Sequence, residues 1–264
     1  MRKFERSNCA AISPLGSFCL MARKAVGAVN IEATAGRVFA GTLAGRAYDI
    51  SATAAGAGVK IVAGLGIGDK TQANDTATDN TVTDVANPLR IITNTLQALA
   101  SNGSINAAAL SNVTLSSLMA AQGSIDFTGT GTMDVTSATS GGSQSFVAQG
   151  NVGFAQMTTN GLPTDAGDVT VKSVAGTVTG GNINADGAIS ATAQGNVKVA
   201  TVTAVKGGLT LTSDAGTLDV TNANSGGTQN LKAQGDVTTG QLTTNGVATD
   251  LGDINVTSVA GALN

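Results

Sequence analysis

The 264-residue chain has no histidine, 3% aromatic and 12% charged residues, and a formal net charge of -3. Without histidine, Ser-His-Asp and Cys-His catalysis and imidazole zinc sites are excluded. Residues 91–264 carry four lysines and ten aspartates, a balance that disfavours nucleic acid as a partner. Glycine is abundant, at 35 residues, which indicates many short strands joined by tight turns.

The first 24 residues predict a weak signal-like or disordered leader. A basic stretch at 1–6 precedes a mildly apolar stretch at 10–22, but polar residues and a proline interrupt it. The two cysteines, Cys9 and Cys19, lie here. We expect two free thiols, with a disulfide between them as the alternative. No segment reaches the roughly 18 uninterrupted apolar residues of a membrane-spanning helix, so no transmembrane segment is predicted.

Three further segments precede the most regular part of the chain. Residues 25–68 predict an irregular β-solenoid-like segment, because short Val/Ile-rich stretches alternate with Ala/Gly turns. Residues 69–87 are polar with four aspartates, which predicts a projecting loop or insertion. From 88 to 121 the pattern fits either further β coils, which we favour, or a short helix. The helical spacing is that of Leu89, Ile92, Leu96 and Leu99.

A long internal repeat dominates the rest of the chain. Residues 131–179 recur 85 positions later as 216–264, with 28 of 49 aligned positions identical. Repetition at this length is typical of stacked units, so we predict β-helix repeats from 88 to 264. Strands open with glycine followed by Asp or Asn and then Val or Ile, and apolar residues alternate after it. Examples are Val169 and Val171, Val197 and Val199, Leu209 and Leu211, and Ile254 and Val256.

These patterns predict an all-β fold, a right-handed parallel β-helix with a less regular N-terminal part. Each strand should pair with its equivalent one coil away, at about 4.7–4.9 Å. We expect the glycines to take positive φ and the Asn or Asp side chains to cap the turns. A coil of about 20 residues would make the long period about four coils. The phrase Ala-Gln-Gly followed by Ser, Asn or Asp supports this length, starting at Ala121, Ala148, Ala193 and Ala233.

The pattern TDxGD, at 164–168 and 249–253, holds the candidates for chemistry. Asp165 with Asp168, and Asp250 with Asp253, could serve as paired carboxylates of a β-helix glycosidase or lyase, or share a weak calcium site. Because the whole setting is duplicated, we favour turns. We therefore predict no catalytic, cofactor-binding or metal residues and no cofactor. Outward threonines, at 177–179, 201–203 and 209–212, leave an ice- or surface-binding solenoid as an alternative to ordinary β-propensity.

The Gly-Asp/Asn-Val-x-Val units, interleaved with AxGxxT and SGG turns, resemble the repeat regions of filamentous-haemagglutinin-like large exoproteins. The resemblance covers 120–264 well and 25–68 loosely. These exoproteins are bacterial adhesins of the two-partner secretion type, with right-handed parallel β-helix shafts. Their secretion domain carries NPNG-like and NPNL-like motifs, whereas this chain offers only Asn87-Pro88-Leu89. No functional residue carries over, and the sequence looks like a fragment of a shaft.

The resemblance implies a non-enzymatic adhesin fragment that is secreted or exposed at the cell surface and associated with the outer membrane. Its expected partners are a host-cell or matrix surface, or other bacterial cells, together with an outer-membrane secretion partner. Nucleic acid is not an expected partner. A carbohydrate-active β-helix enzyme and an ice- or surface-binding solenoid are the alternatives.

Overall fold

The computed structural model describes residues 18–20, 23–25, 27–40, 47–68, 88–247 and 250–264. These ranges contain strands and no helix, which confirms the all-β prediction. The helical alternative for 88–121 is wrong, because four strands occupy that segment. The predicted polar loop at 69–87 and Cys9 lie outside the described residues.

Within these ranges the strands alternate between two parallel sheets. The N-terminal strands are β1 (Phe18–Leu20), β2 (Arg23–Ala25), β3 (Val29–Ala33), β4 (Arg37–Ala40), β5 (Ile50–Ala52), β6 (Val59–Ala63), β7 (Gly66–Ile67), β8 (Leu89–Thr93) and β9 (Thr95–Ala100). The middle strands are β10 (Ile105–Ala109), β11 (Val113–Ala120), β12 (Ile125–Gly129), β13 (Met133–Ser140), β14 (Gln144–Ala148), β15 (Val152–Thr159), β16 (Val169–Ser173) and β17 (Val178–Ala185). The C-terminal strands are β18 (Ile189–Ala193), β19 (Val197–Ala204), β20 (Leu209–Ser213), β21 (Leu218–Ser225), β22 (Gln229–Ala233), β23 (Val237–Thr244) and β24 (Ile254–Ser258).

From β10 onward each coil contributes one five-residue strand and one eight-residue strand. The short strands pair only with short strands, in the order β10-β12-β14-β16-β18-β20-β22-β24. The long strands pair only with long strands, from β9 to β23. Every pair is parallel, as in β16 with β18, where Val169 lies beside Ile189. The chain is therefore a parallel β-helix in this region.

The long strands bend in the middle. In β13, Val135 and Ala138 are buried, while Thr136 and Ser137 between them both point outward. Two consecutive outward residues break the strict alternation of a straight strand. The pairing of β13 with β15 also omits Thr136. Each long strand therefore turns a corner and forms two walls of the coil, and the short strand forms the third.

Inward side chains stack on their equivalents from coil to coil. In the short-strand sheet Phe127 lies beside Phe146, and Leu211 lies between Ala191 and Leu231. All five side chains are buried. The core is thus a narrow column, and this explains why small aliphatic residues suffice and aromatic residues are scarce.

The register gives the length of each coil. Gln144 pairs with Val169, and the path continues through Ile189, Leu209 and Gln229. Four coils of 25, 20, 20 and 20 residues therefore fill the 85-residue period, which confirms the expected number.

The Ala-Gln-Gly phrase is a less faithful marker of coils than the sequence suggests. The phrases at Ala148, Ala193 and Ala233 follow short strands, whereas the one at Ala121 follows the long strand β11. It therefore lies at a different corner of the coil, and its distance to the next phrase does not measure a coil.

Turn capping by Asn and Asp is confirmed, but the expected reason for glycine is wrong at most turns. Asn151 Oδ1 accepts from Thr177 N at 2.9 Å, and Asn196 Oδ1 accepts from Thr217 N at 2.9 Å. Among the glycines of the Gly-Asp/Asn motif only Gly167 and Gly252 have positive φ. At Gly195 a Cβ would instead meet the backbone oxygen of Gly176 in the previous coil at 3.1 Å. Close approach between coils therefore selects glycine there.

Truncation of Leu211 to alanine should destabilise the chain by about 2–5 kcal/mol, because it leaves a cavity in a column that cannot collapse. The neighbouring exposed residue is the matched control, since Thr210→Ala should change the free energy of unfolding by less than about 0.5 kcal/mol. Urea denaturation followed by circular dichroism measures both. Equal losses in the two variants would contradict the inward and outward assignment.

Candidate functional site

Two loops project from the otherwise even coils, and they contain the predicted TDxGD sequences. We call residues 160–168 the first inserted loop and residues 245–253 the second inserted loop; 248 and 249 lie outside the described residues. They follow β15 and β23, and each makes its coil 25 residues long where the coils between them have 20. Both loops lie at the same corner, four coils apart, which corresponds to roughly 19 Å along the axis.

Asp165 fastens the first inserted loop to two preceding coils. Its Oδ2 accepts hydrogen bonds from Ser124 Oγ at 2.7 Å and from Ser143 N at 2.9 Å. Its Oδ1 accepts from Ser143 Oγ at 2.5 Å and from Gly167 N at 3.0 Å. Both carboxylate oxygens are therefore occupied by donors from the protein itself.

Asp250 does the same for the second inserted loop. Thr228 donates to it twice, from N to Oδ2 at 2.7 Å and from Oγ1 to Oδ1 at 2.7 Å. Gly252 N donates to Oδ1 at 3.0 Å. The duplicated aspartates thus make duplicated turns, and the turn interpretation of TDxGD holds at both positions.

The Ser-Gly-Gly turn in front of each inserted loop provides the space for it. A Cβ on Gly142 would lie 2.5 Å from Asp165 Oδ2, and one on Gly141 would lie 3.1 Å from a methyl group of Leu162. The second copy is alike, since a Cβ on Gly227 would lie 2.6 Å from Asp250 Oδ2. The two glycines are therefore required for close approach of the loop.

A buried glutamine completes each loop junction. Gln144 is 1% exposed and occupies a stacking position that Ile125 and Val169 fill in the adjacent coils. Its Nε2 donates to Thr158 O at 2.8 Å and to Ser140 Oγ at 3.1 Å. Loop insertion ends the pairing of β15 with β17 at Thr158, one residue earlier than in the next pair. The glutamine supplies a donor where that pairing stops.

Gln229 repeats this arrangement, with Nε2 donating to Thr243 O at 2.7 Å. In both glutamines Oε1 is buried without a hydrogen-bond partner among the described residues. A buried acceptor of this kind costs about 1–3 kcal/mol. Glutamine at these two core positions is therefore explained by its donor group, which anchors the loop, and not by its fit to the apolar column.

The sequence Ser-Gly-Gly-Ser/Thr-Gln and the sequence Thr-Asp-x-Gly-Asp form one unit, which we call the loop clip. It comprises 140–144 with 164–168, and 225–229 with 249–253. The sequence analysis identified the aspartates but missed the glutamines. The signal was present, because a glutamine replaces Val, Ile or Leu at the first inward position of a strand only in the two copies that precede a longer loop.

The hydrogen bonds of the loop clip lower the pKa of both aspartates. Burial acts to raise the pKa of Asp165, but the hydrogen bonds from Ser143, Ser124 and Gly167 outweigh it and lower that pKa to about 2. The backbone and side chain of Thr228, followed by the backbone of Gly252, lower the pKa of Asp250, with burial opposing them. A general acid of a glycosidase needs a raised pKa, so neither aspartate is suited to that role.

The remaining two candidates lie at the strand starts. Asp168 Oδ1 accepts from Ala188 N in the next coil at 2.7 Å, and Asp253 is exposed. Each main-chain oxygen accepts from a glutamine of the loop clip: Gln144 N donates to Asp168 O, and Gln229 N donates to Asp253 O, both at 2.7 Å. Asp168 therefore acts as a corner cap.

A shallow groove of about 300 Å³ lies between the two inserted loops on the short-strand face. Asp168 and Asp250 mark its ends, and its lining includes no aromatic or basic side chain. Three coil steps separate these carboxylates, or roughly 14 Å along the axis, which exceeds the spacing of a glycosidase pair. The floor offers hydrogen-bonding groups to a polar partner; it consists of Thr170, Ser190, Thr210 and Asn230.

The structure gives little support to the other site chemistry considered. Among the described residues no group of three or more Cys, Asp or Glu side chains could hold a metal ion. Outward threonines are aligned, as Thr192 is with Thr212, but this row ends at Lys172 on one side and Lys232 on the other. Within the described ranges no helix is long and apolar enough to cross a membrane.

Comparison of the chain with protein-family models, curated proteins and solved structures finds no match.

Substitution of Asp165 by alanine should destabilise the chain by about 1–2 kcal/mol, because Ser143 N and its neighbours lose their acceptor. The exposed aspartate at 214 provides the matched control, and Asp214→Ala should cost less than about 0.5 kcal/mol. Urea denaturation measures both, and hydrogen exchange should show faster exchange confined to the first inserted loop. An unchanged loop in Asp165→Ala would contradict the clip.

Acid should release the loop clip. Because the pKa of Asp165 is lower in the folded chain than in the unfolded chain, its contribution is complete above about pH 4 and disappears as the pH falls towards about 2. The difference in stability between the native chain and Asp165→Ala should therefore shrink over that range. Denaturation at a series of pH values tests this, with Thr210→Ala as a variant that removes no titrating group. A constant difference would argue against the clip.

Proposed function

We propose that this chain is a non-enzymatic segment of the shaft of a secreted or surface-exposed bacterial adhesin. Its role is to give reach and to present outward side chains for attachment to a host-cell surface, to matrix or to other bacteria. The resemblance of its repeat units to filamentous-haemagglutinin-like exoproteins suggests this role, and export through an outer-membrane partner belongs to the same proposal.

The observation that carries the proposal is the uniform stacking of coils whose inner positions are kept while outer positions change. Val135 and Val220 are equivalent, buried and identical, whereas the equivalent outward residues Val147 and Lys232 differ in size and charge. A scaffold that is constant inside and variable outside suits a spacer that presents different contacts along its length.

Surface chemistry supports contact with polar partners. The groove between the inserted loops presents hydroxyl and amide groups with a carboxylate at each end. Lysines on the same sheets are paired or dispersed; Lys198 lies 3.0 Å from Asp219 and Lys206 lies 2.7 Å from Asp186. Without a basic patch in this region, polyanions such as nucleic acid are poor partners.

Attachment can be measured directly with beads that carry the folded chain. We expect such beads to adhere to host cells, matrix-coated surfaces or bacterial cells more than beads that carry the chain after denaturation. Antibodies against the chain should also label intact source cells. Failure to adhere to all three surfaces would contradict attachment, and labelling only after cell lysis would contradict surface exposure.

A loop-deletion variant separates the scaffold from its contacts. Removal of 161–165 and 246–250 restores 20-residue coils at both positions, so the β-sheet signal in circular dichroism should persist. If the groove makes the contact, bead attachment should fall at least roughly tenfold, the equivalent of about 1.4 kcal/mol. Undiminished attachment would place the contact elsewhere on the coils.

A further inference from the structure

The C-terminal edge of the β-helix, formed by β24 and the residues that follow it, leaves apolar side chains uncovered. Ile254 is 43% exposed, Val259 55% and Leu263 59%. The residues 85 positions earlier are better covered, since Val169 is 1% exposed, Val174 38% and Val178 0%. The two sets belong to copies of one sequence, so the difference arises from what lies above them.

In the first copy, β18 covers this edge. It pairs with β16 in parallel register, with Ile189 beside Val169, Ala191 beside Val171 and Ala193 beside Ser173. The second copy has the same receiving strand, β24, which pairs on its other side with β22. Its free side therefore has the shape and spacing of an interface already present within the molecule.

The corner residues repeat this relation. Asp168 Oδ1 accepts from Ala188 N of the covering coil, whereas Asp253, its equivalent, is exposed. The last residues begin the next coil in the same way in both copies. Val237 lies beside Leu263, as Val152 lies beside Val178. The edge is thus prepared in backbone, apolar contact and capping acceptor for one more coil.

We propose that this C-terminal edge is a docking surface for a further parallel β-solenoid coil with the residue pattern of 180–193. The partner is defined by chemistry that the first copy displays: inward Ile or Val at the positions of Ile183 and Ile189, a small residue at that of Ala191, and a free N–H at that of Ala188. This inference rests on the repeat and the exposed edge, and it is independent of the proposed role in adhesion.

The test extends the full chain. A copy of residues 180–215 is joined directly after Asn264, which places the copy of Ile189 beside Ile254 and that of Ala188 at Asp253. We expect amide hydrogen exchange in β24 to slow by roughly tenfold or more relative to the unextended chain, as it does when an edge becomes an interior strand. Unchanged exchange in β24 would overturn the proposal.

Two controls make the result specific. Omission of the copy of Gly187 shifts the extension by one residue and turns its inward side chains outward, so this chain should give no protection. Ile254→Asp should be tolerated in the unextended chain, because Ile254 is 43% exposed, but should abolish protection in the extended chain. Equal protection by the in-phase and shifted extensions would overturn the proposal.

Light scattering on the unextended chain distinguishes a second occupant. A monomer with rapidly exchanging β24 amides is the expected state. A dimer in which β24 is protected, and which Ile254→Asp dissociates, would show that the edge is covered by a second copy and would overturn the assignment to a solenoid coil.

Discussion

Parallel pairing of each strand with its equivalent in the next coil is the constraint on which this structure depends. It brings every inward residue against the residue about 20 positions later, as with Val169, Ile189 and Leu209. A side chain therefore has to fit its own counterparts above and below, and the sequence becomes repetitive as a result. Glycine at the corners follows from the same constraint, because backbones of successive coils approach closely there.

The inserted loops show how the constraint can be relaxed locally. Five extra residues leave the column at 160–168 and return to the same register at Val169. The cost is an interrupted ladder, and the loop clip offsets it with a buried glutamine inside and an aspartate outside. Polar groups that look like a catalytic pair in the sequence therefore serve to hold an irregularity in a regular stack.

Much of the fold could be predicted, because strand alternation and an 85-residue repeat are properties of the sequence alone. The segment from 88 to 121 was ambiguous, since Leu89 and Leu96 fit both helical and strand spacing and only pairing with β10 and β11 decides between them. The partners of Asp165 could not be predicted. Ser124 is 41 residues away, and its position depends on knowing that two coils of slightly different length intervene.

That long-range hydrogen bond has a consequence for how the molecule comes apart. Most contacts in a β-helix join adjacent coils, so an unwinding end can advance one coil at a time. Asp165 joins coils two steps apart through Ser124 while it also bonds Ser143. Three coils are therefore tied into one cooperative unit, and a front of unwinding that arrives there must open them together. The inserted loops thus act as arrest points in an otherwise evenly graded filament.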